Sequence, residues 1–206
     1  MKNNRWCRAF LLVAVGFLAC QARIRVNPYV LMRTELGDIV VEIYSDKAPL
    51  TAKNFMRYVD ENRFSDAFFY RVVRLDNQPH DAVKIEVVQG GIGFVESDLR
   101  LPTIDHESTK KTGVLHEDGV ISMARASPGT ASSEFFICIG DQPELNFNGK
   151  RNPDGGGFAA FGSVVEGMDV VRQIHVGEAD GQMLKTPIRI TEVRRVKKRE
   201  MQADSL

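Results

Sequence analysis

A chain of 206 residues has room for one sizeable hydrophobic core and shows no sign of a second. Its 27 lysines and arginines balance 27 aspartates and glutamates, so no net field draws it to nucleic acid or to an anionic membrane. Neither a strongly basic nor a strongly acidic binding protein fits that balance.

Residues 1–22 read as an export signal. Lys2, Arg5 and Arg8 form a positive n-region without acids, and residues 9–19 form an apolar h-region. This run is shorter than the ~20 residues a spanning helix needs. Phe17-Leu18-Ala19-Cys20 resembles a bacterial lipoprotein cleavage box. Two outcomes follow from it, lipidation at Cys20 or ordinary cleavage, and a lipid on Cys20 is the only membrane attachment expected. The protein is therefore expected to be exported in a bacterium, as a periplasmic protein or a membrane-anchored lipoprotein. Residues 23–206 form one domain with a short charged tail. Cys7 and Cys20 belong to the leader, which leaves Cys138 alone and rules out an internal disulfide.

Residues 30–44 predict a hairpin with Gly37 at its turn. Pro49 suits the first turn of a helix, and Ala52, Phe55, Met56 and Val59 recur at helical spacing through residues 51–61. The most informative stretch is 68–91. Strand alternation puts Phe69, Arg71 and Val73 on one face and Phe68, Tyr70 and Val72 on the other. A guanidinium is rarely buried unless paired, so the second set and Val88 are assigned to the core. Arg71 then stands on the outward face with Val87 and Gln89. Residues 75–84, with Pro79 among them, predict a surface loop near this face.

Residues 101–119 carry His106, Glu107, His116 and Glu117 at no compact metal-ligand spacing, so a solvated loop and no metal are expected. Ser108 to Lys111 and Lys111 to Gly113 mimic two penicillin-recognising motifs, but sharing Lys111 excludes both as one site. Residues 120–125 predict a strand, and residues 126–131 a loop of small side chains that lets a ligand backbone approach. In residues 132–140, Phe135, Ile137 and Ile139 face inward, while Glu134, Phe136 and Cys138 face out. Residues 141–157 are glycine-rich, yet no helix follows to complete a phosphate cradle. Residues 158–165 form a strand, 166–174 a second helix with Met168, Val171 and Ile174 inward, and 188–196 the closing strand. Residues 194–200 read as a solvated tail. The fold class is mainly β, a closed antiparallel β-barrel capped by two α-helices.

Five strings now stand in order: Phe69-Tyr70-Arg71-Val72, Val88-Gln89-Gly90-Gly91, Ser122-Met123-Ala124-Arg125-Ala126, Ser133-Glu134-Phe135-Phe136-Ile137 and Phe161-Gly162. Together they resemble a cyclophilin-type peptidyl-prolyl cis-trans isomerase over residues 30–196. The resemblance implies rotation about X–Pro bonds in unfolded or flexible segments, in aid of folding. Amide resonance sets a barrier of ~18–20 kcal/mol, and a site lowers it by favouring the twisted amide. No cofactor, metal or nucleophile is needed. Arg71 is the expected donor to the prolyl nitrogen and Gln89 its catalytic partner. Val87, Phe136, Leu145 and Phe158 would line the proline pocket, with Ala124, Arg125 and Glu134 as further substrate contacts. The expected partners are proline-containing polypeptides, and the expected state is a monomer. The alternative is a catalytically weak proline-binding module acting as a chaperone or assembly factor.

Four positions depart from the family pattern. Glu86 replaces an aromatic pocket residue, Glu134 a glutamine, Arg125 an asparagine, and Glu144 stands near the usual tryptophan. Glu86 is expected to loosen the pocket. Glu134 is expected either to pair with Arg71 and orient it or to neutralise the donor in part.

Overall fold

A computed structural model describes residues 27–94 and 96–197. Residues 1–22, expected to be an export signal with Cys20 among them, lie outside the described residues. The strands run β1 (Tyr29–Thr34), β2 (Gly37–Ile43), β3 (Phe68–Val73), β4 (Val87–Gly91), β5 (Val120–Met123), β6 (Phe135–Cys138), β7 (Ala159–Glu166), β8 (Ala179–Asp180) and β9 (Met183–Val196). All pairings are antiparallel. The order β1-β2-β7-β5-β6-β4-β3-β9 closes on itself because β9 also pairs with β1, and β8 is a two-residue hairpin arm on β9. Closure removes the unpaired edges that an open sheet would expose.

Two helices cap the barrel, as the apolar periodicity predicts: α1 (Pro49–Asp60) and α3 (Met168–His175), with the single turn α2 (Thr109–Thr112) between them in sequence. Ala52, Phe55, Met56 and Val59 enter the core from α1, and Val171 and Ile174 from α3. Phe55 anchors the centre, 5.4 Å from Phe64, 5.7 Å edge-on to Phe135 and 5.0 Å from Phe161.

The inward alternation of β6 is observed, with Phe135 and Ile137 in the core. That of β3 is not. Phe69 and Val72 are the core residues, whereas Phe68 is only half-buried and Tyr70 packs outside this cluster. The cause is a β-bulge: Phe69 pairs with Gly90 and Arg71 with Gln89, so Tyr70 is skipped. One extra residue reverses the parity on one side of it, which strict period-2 reading does not anticipate. The last strand ends at Val196 as expected but starts at Met183, five residues before the expected 188, and Arg194, Arg195 and Val196 pair with β1. Arg195 grips Asp60 with two hydrogen bonds, 2.6 and 2.8 Å, at the end of α1.

The start of α1 is satisfied from a distance. Ala48 has no side chain to cap it, and no acid lies in the first turn. Instead the Glu107 carboxylate accepts the Thr51 main-chain N–H at 2.6 Å and its hydroxyl at 2.7 Å. A carboxylate there satisfies orphan donors and complements the positive end of the helix dipole. Glu107→Ala should lower unfolding free energy by about 1–2 kcal/mol in urea titrations, and Glu107→Gln by less. Midpoints equal to the parent's would show that the contact stabilises nothing.

Candidate active site

The bulge sends consecutive side chains to different tasks. Phe69 enters the core, and Arg71 emerges opposite Gln89. Arg71 Nη1 donates to Gln89 Oε1 at 2.6 Å. Its Nε and Nη2 donate to Gln182 Oε1, at 3.1 and 2.5 Å, and Gln182 sits in the turn between β8 and β9. A guanidinium carries five N–H groups, so these bonds leave two for a ligand. Burial, and next to it the charge of Arg151, lower the Arg71 pKa, yet the group stays a cation at any working pH.

Behind Gln89 the polar contacts continue. Gln89 Nε2 donates to the Tyr70 hydroxyl at 2.9 Å, and that hydroxyl donates to Glu134 Oε2 at 2.5 Å. Burial, then the Glu134 carboxylate, push the phenol pKa up, so Tyr70 remains a donor. Glu134 Oε1 further accepts from Ser133 Oγ at 2.8 Å, Gly93 N–H at 3.1 Å and Arg100 Nη1 at 3.4 Å. Glu134 therefore neither pairs with Arg71 nor neutralises it. Its seat requires Gly91, whose backbone lies at φ 142° and where a Cβ would fall 2.5 Å from Glu134 Oε2.

The apolar half rests on the outer side of the same barrel wall. Val73, Ile85, Val87, Phe136, Cys138 and Leu145 form a second buried cluster, with Ala124 and Phe158 packed on it. Phe136 and Phe158 meet edge to face at 5.2 Å. Cys138 is fully buried, and burial raises its thiol pKa before the nearby Asp118 and Asp141 add to the effect. Ile85, not Glu86, lines the cavity, so loss of the aromatic at 86 leaves the wall filled.

All nine residues expected at the site line one cavity of about 470 Å³. Arg71, Gln89 and Glu134 stand on its polar side, and Val87, Phe136, Leu145 and Phe158 on its apolar side. Ala124 lies between, its N–H committed to the Glu134 carbonyl at 2.8 Å. Arg125 bonds both oxygens of Asp154, at 2.7 and 2.9 Å, and the Gly157 carbonyl, and its guanidinium sits 5.2 Å above the Phe158 ring. It shapes the wall by holding the 154–157 loop. Glu144 is absent from the cavity, and its carboxylate accepts the Lys150 N–H at 2.7 Å.

The 75–84 loop is more than a surface excursion. Gln78, 1% exposed, binds the Arg74 and Ile85 carbonyls, and Arg151 clasps Gln78, Val83 and Asp81 from across the cavity. Sequence reasoning also missed Tyr70, Ile85, Arg100 and Gln182. Phe94 stands at the rim, 74% exposed and 5.3 Å from the Tyr70 ring. No group of three or more potential metal ligands occurs among the described residues.

His116, expected in a solvated loop, is 1% exposed and stacks behind Phe136 at 5.9 Å. Asn146 Oδ1 accepts from the His116 main-chain N–H at 3.0 Å and from Nδ1 at 2.8 Å. The ring is thus the neutral Nδ1–H tautomer, with Nε2 accepting from Ser122 Oγ at 2.9 Å.

Residues 29–195 match the family described as cyclophilin type peptidyl-prolyl cis-trans isomerase/CLD. A peptidyl-prolyl cis-trans isomerase of Acinetobacter baylyi is 36% identical over 166 residues, covering 79% of each chain. Peptidyl-prolyl cis-trans isomerase B of Escherichia coli is 35% identical over 161 residues, covering 74% of this chain and 87% of the relative. A crystal structure of a Cryptosporidium parvum cyclophilin type peptidyl-prolyl cis-trans isomerase shares the fold, with TM-score 0.64 and 20% identity over 83% of this chain and 98% of that one. The chain belongs to the cyclophilin-type peptidyl-prolyl cis-trans isomerases. Its activity is that of the family, rotation about X–Pro peptide bonds.

Burial lowers the His116 pKa to about 4, with the Asn146 hydrogen bond opposing the shift. In the unfolded chain the ring returns to its ordinary value near ~6.5. Between those values only the unfolded chain binds the proton, so stability falls as pH drops from about 6.5 toward about 4. Urea unfolding at pH 7.5 and 4.5 should show His116→Gln losing less than the parent, by on the order of 2 kcal/mol. Equal losses in both proteins would remove His116 from the account.

Proposed function

We propose that Arg71 and Gln89 carry the isomerisation, with the proline ring seated among Val87, Phe136, Leu145 and Phe158. The observation that carries this reading is a cation with two uncommitted N–H groups on the wall of an apolar cavity. In the twisted amide the prolyl nitrogen regains its lone pair, and a guanidinium N–H can donate to it. That donation exists only while the amide is twisted, so it lowers the barrier without tightening the ground state. Gln89 keeps one Nε2 hydrogen for the substrate backbone. A proline-containing segment is the ligand the cavity suits. A second Cryptosporidium parvum structure, of the cyclophilin type isomerase in the presence of the dipeptide ala-pro, supports this choice of ligand, and it has TM-score 0.63 and 21% identity over 82% of this chain and 99% of that one.

A charge-assisted hydrogen bond contributes about 1.5–3 kcal/mol. Arg71→Ala should therefore slow turnover of a short proline peptide by about ten- to a hundredfold in a protease-coupled assay. Parent-like rates in that variant would sink the assignment. Specific peptide binding without turnover by the parent would favour a proline-binding chaperone or assembly factor instead.

The leader supports export, with the protein acting as a monomer in the periplasm or on a lipid anchor of a bacterium. Lys2, Arg5 and Arg8 before an apolar run, and Cys20 after Ala19, are the features behind this reading. Mass spectrometry of the mature N-terminus should find Cys20 first and carrying lipid if the anchor forms. An unmodified start after Cys20 rejects the anchor and keeps export, whereas an intact Met1 with the leader attached rejects both.

A further inference from the structure

The polar contacts at the site form a chain with one direction. Its first member, the Arg71 guanidinium, can only donate, and its last, the Glu134 carboxylate, only accepts when ionised. Between them the Tyr70 hydroxyl has a single hydrogen, which goes to Glu134 Oε2 at 2.5 Å. The phenol oxygen must then accept, so Gln89 presents Nε2 to it at 2.9 Å and turns Oε1 toward Arg71 Nη1 at 2.6 Å. A glutamine at 134 would lack this polarity. Its NH₂ group can donate to the phenol oxygen, which frees the Tyr70 hydrogen to point at Gln89. Gln89 would then flip and set its own NH₂ against the guanidinium.

We propose that Tyr70 and Glu134 are positioning residues for the isomerisation, acting through Gln89 to hold Arg71 in register with the proline pocket. Glu134 is built for this task. Gly93 N–H, Ser133 Oγ and Arg100 Nη1 occupy its other oxygen, and Gly91 leaves the space it fills. Its lone pairs are spent on protein groups, so it orients the site without gripping substrate. The bulge at Tyr70 serves the same end, because a residue inside the regular ladder would alternate with Arg71 and face the core. Gln182 holds Arg71 from its other side, so breaking the chain weakens the donor's placement without abolishing it.

This inference rests on the reading of Arg71 as the catalytic donor. Tyr70→Phe keeps the ring and removes the hydroxyl, and Glu134→Gln keeps the shape and removes the polarity. Each should lower kcat by about three- to tenfold while KM changes by less than about twofold. In an Arg71→Ala background the same substitutions should change the rate by less than about 1.5-fold, because residues acting through one partner are not additive. Unchanged kcat, or equal factors in both backgrounds, overturns the proposal. A second readout needs no catalysis: the side-chain amide of Gln89 and the Nε–H of Arg71 should shift in ¹H–¹⁵N spectra of Tyr70→Phe, and unmoved signals overturn it too. A parent-like rate for Arg71→Ala would overturn the donor assignment and with it the catalytic role of the chain, whereas unmoved spectra with a slowed Arg71→Ala would overturn the positioning role and leave the donor assignment standing.

Discussion

Where β3 meets β4, the pairing passes from Phe69 and Gly90 to Arg71 and Gln89 and leaves Tyr70 over. Everything distinctive about the molecule follows from that omission. Without it, Phe69 and Arg71 would share one face, and either a phenyl ring would leave the core or a cation would enter it. An unpaired cation inside a barrel costs several kcal/mol, and loss of a buried phenylalanine costs a similar amount. The bulge avoids both outcomes and supplies a third side chain, a phenol, to the outward face. One irregular residue thus serves the core and the site together.

The barrel wall works on both of its sides. Inward, Val88, Phe135 and Ile137 pack on Phe55 and its neighbours. Outward, the alternate residues Val87, Phe136 and Cys138 begin a second apolar layer that Leu145 of the 141–157 loop and Phe158 just after it close. Because the strands are anchored from within, the outer layer presents a preformed hollow instead of one assembled around each substrate. Preorganisation of this kind suits a reaction that needs no covalent step, where the gain lies in holding one amide geometry better than another. The arginines around the cavity divide the labour: Arg125 and Arg151 fasten loops, Arg100 seats Glu134, and Arg71 keeps two N–H groups on the cavity wall.

Much of this was legible from the chain, and for identifiable reasons. The helices announced themselves through Phe55 and Met56, and through Val171 and Ile174, because helical periodicity survives burial on one side. β6 was legible because Phe135 to Cys138 alternate without interruption. Arg71, Val87, Gln89 and Phe136 are legible because each lies on a strand with its side chain on the outward face, whereas Ala124, Arg125, Glu134, Leu145 and Phe158 stand outside the strands and are expected from the family resemblance. Tyr70 was assigned to the core because parity reading has no way to see a skipped residue. Gln182 was invisible because its bond to Arg71 spans 111 residues and its turn carries no chemistry of its own. His116 looked solvated because its partners, Ser122 and Asn146, are ordinary polar residues whose convergence only the fold reveals. The expectation for Glu134 failed for a related reason: charge alone pointed it at Arg71, but Tyr70, Gly93, Ser133 and Arg100 were nearer.

Cys138 has a consequence for the protein's surroundings. Its sulfur is buried within the outer apolar cluster beside Val87, Phe136 and Leu145, and thiolate is the form that reacts with oxidants and alkylating agents. A thiol held protonated and out of contact with solvent is a poor target for either. The hollow can therefore persist in an oxidising compartment without a reductant to protect it. Should the wall ever breathe open, this same atom becomes a built-in reporter, since covalent labelling there would record each opening.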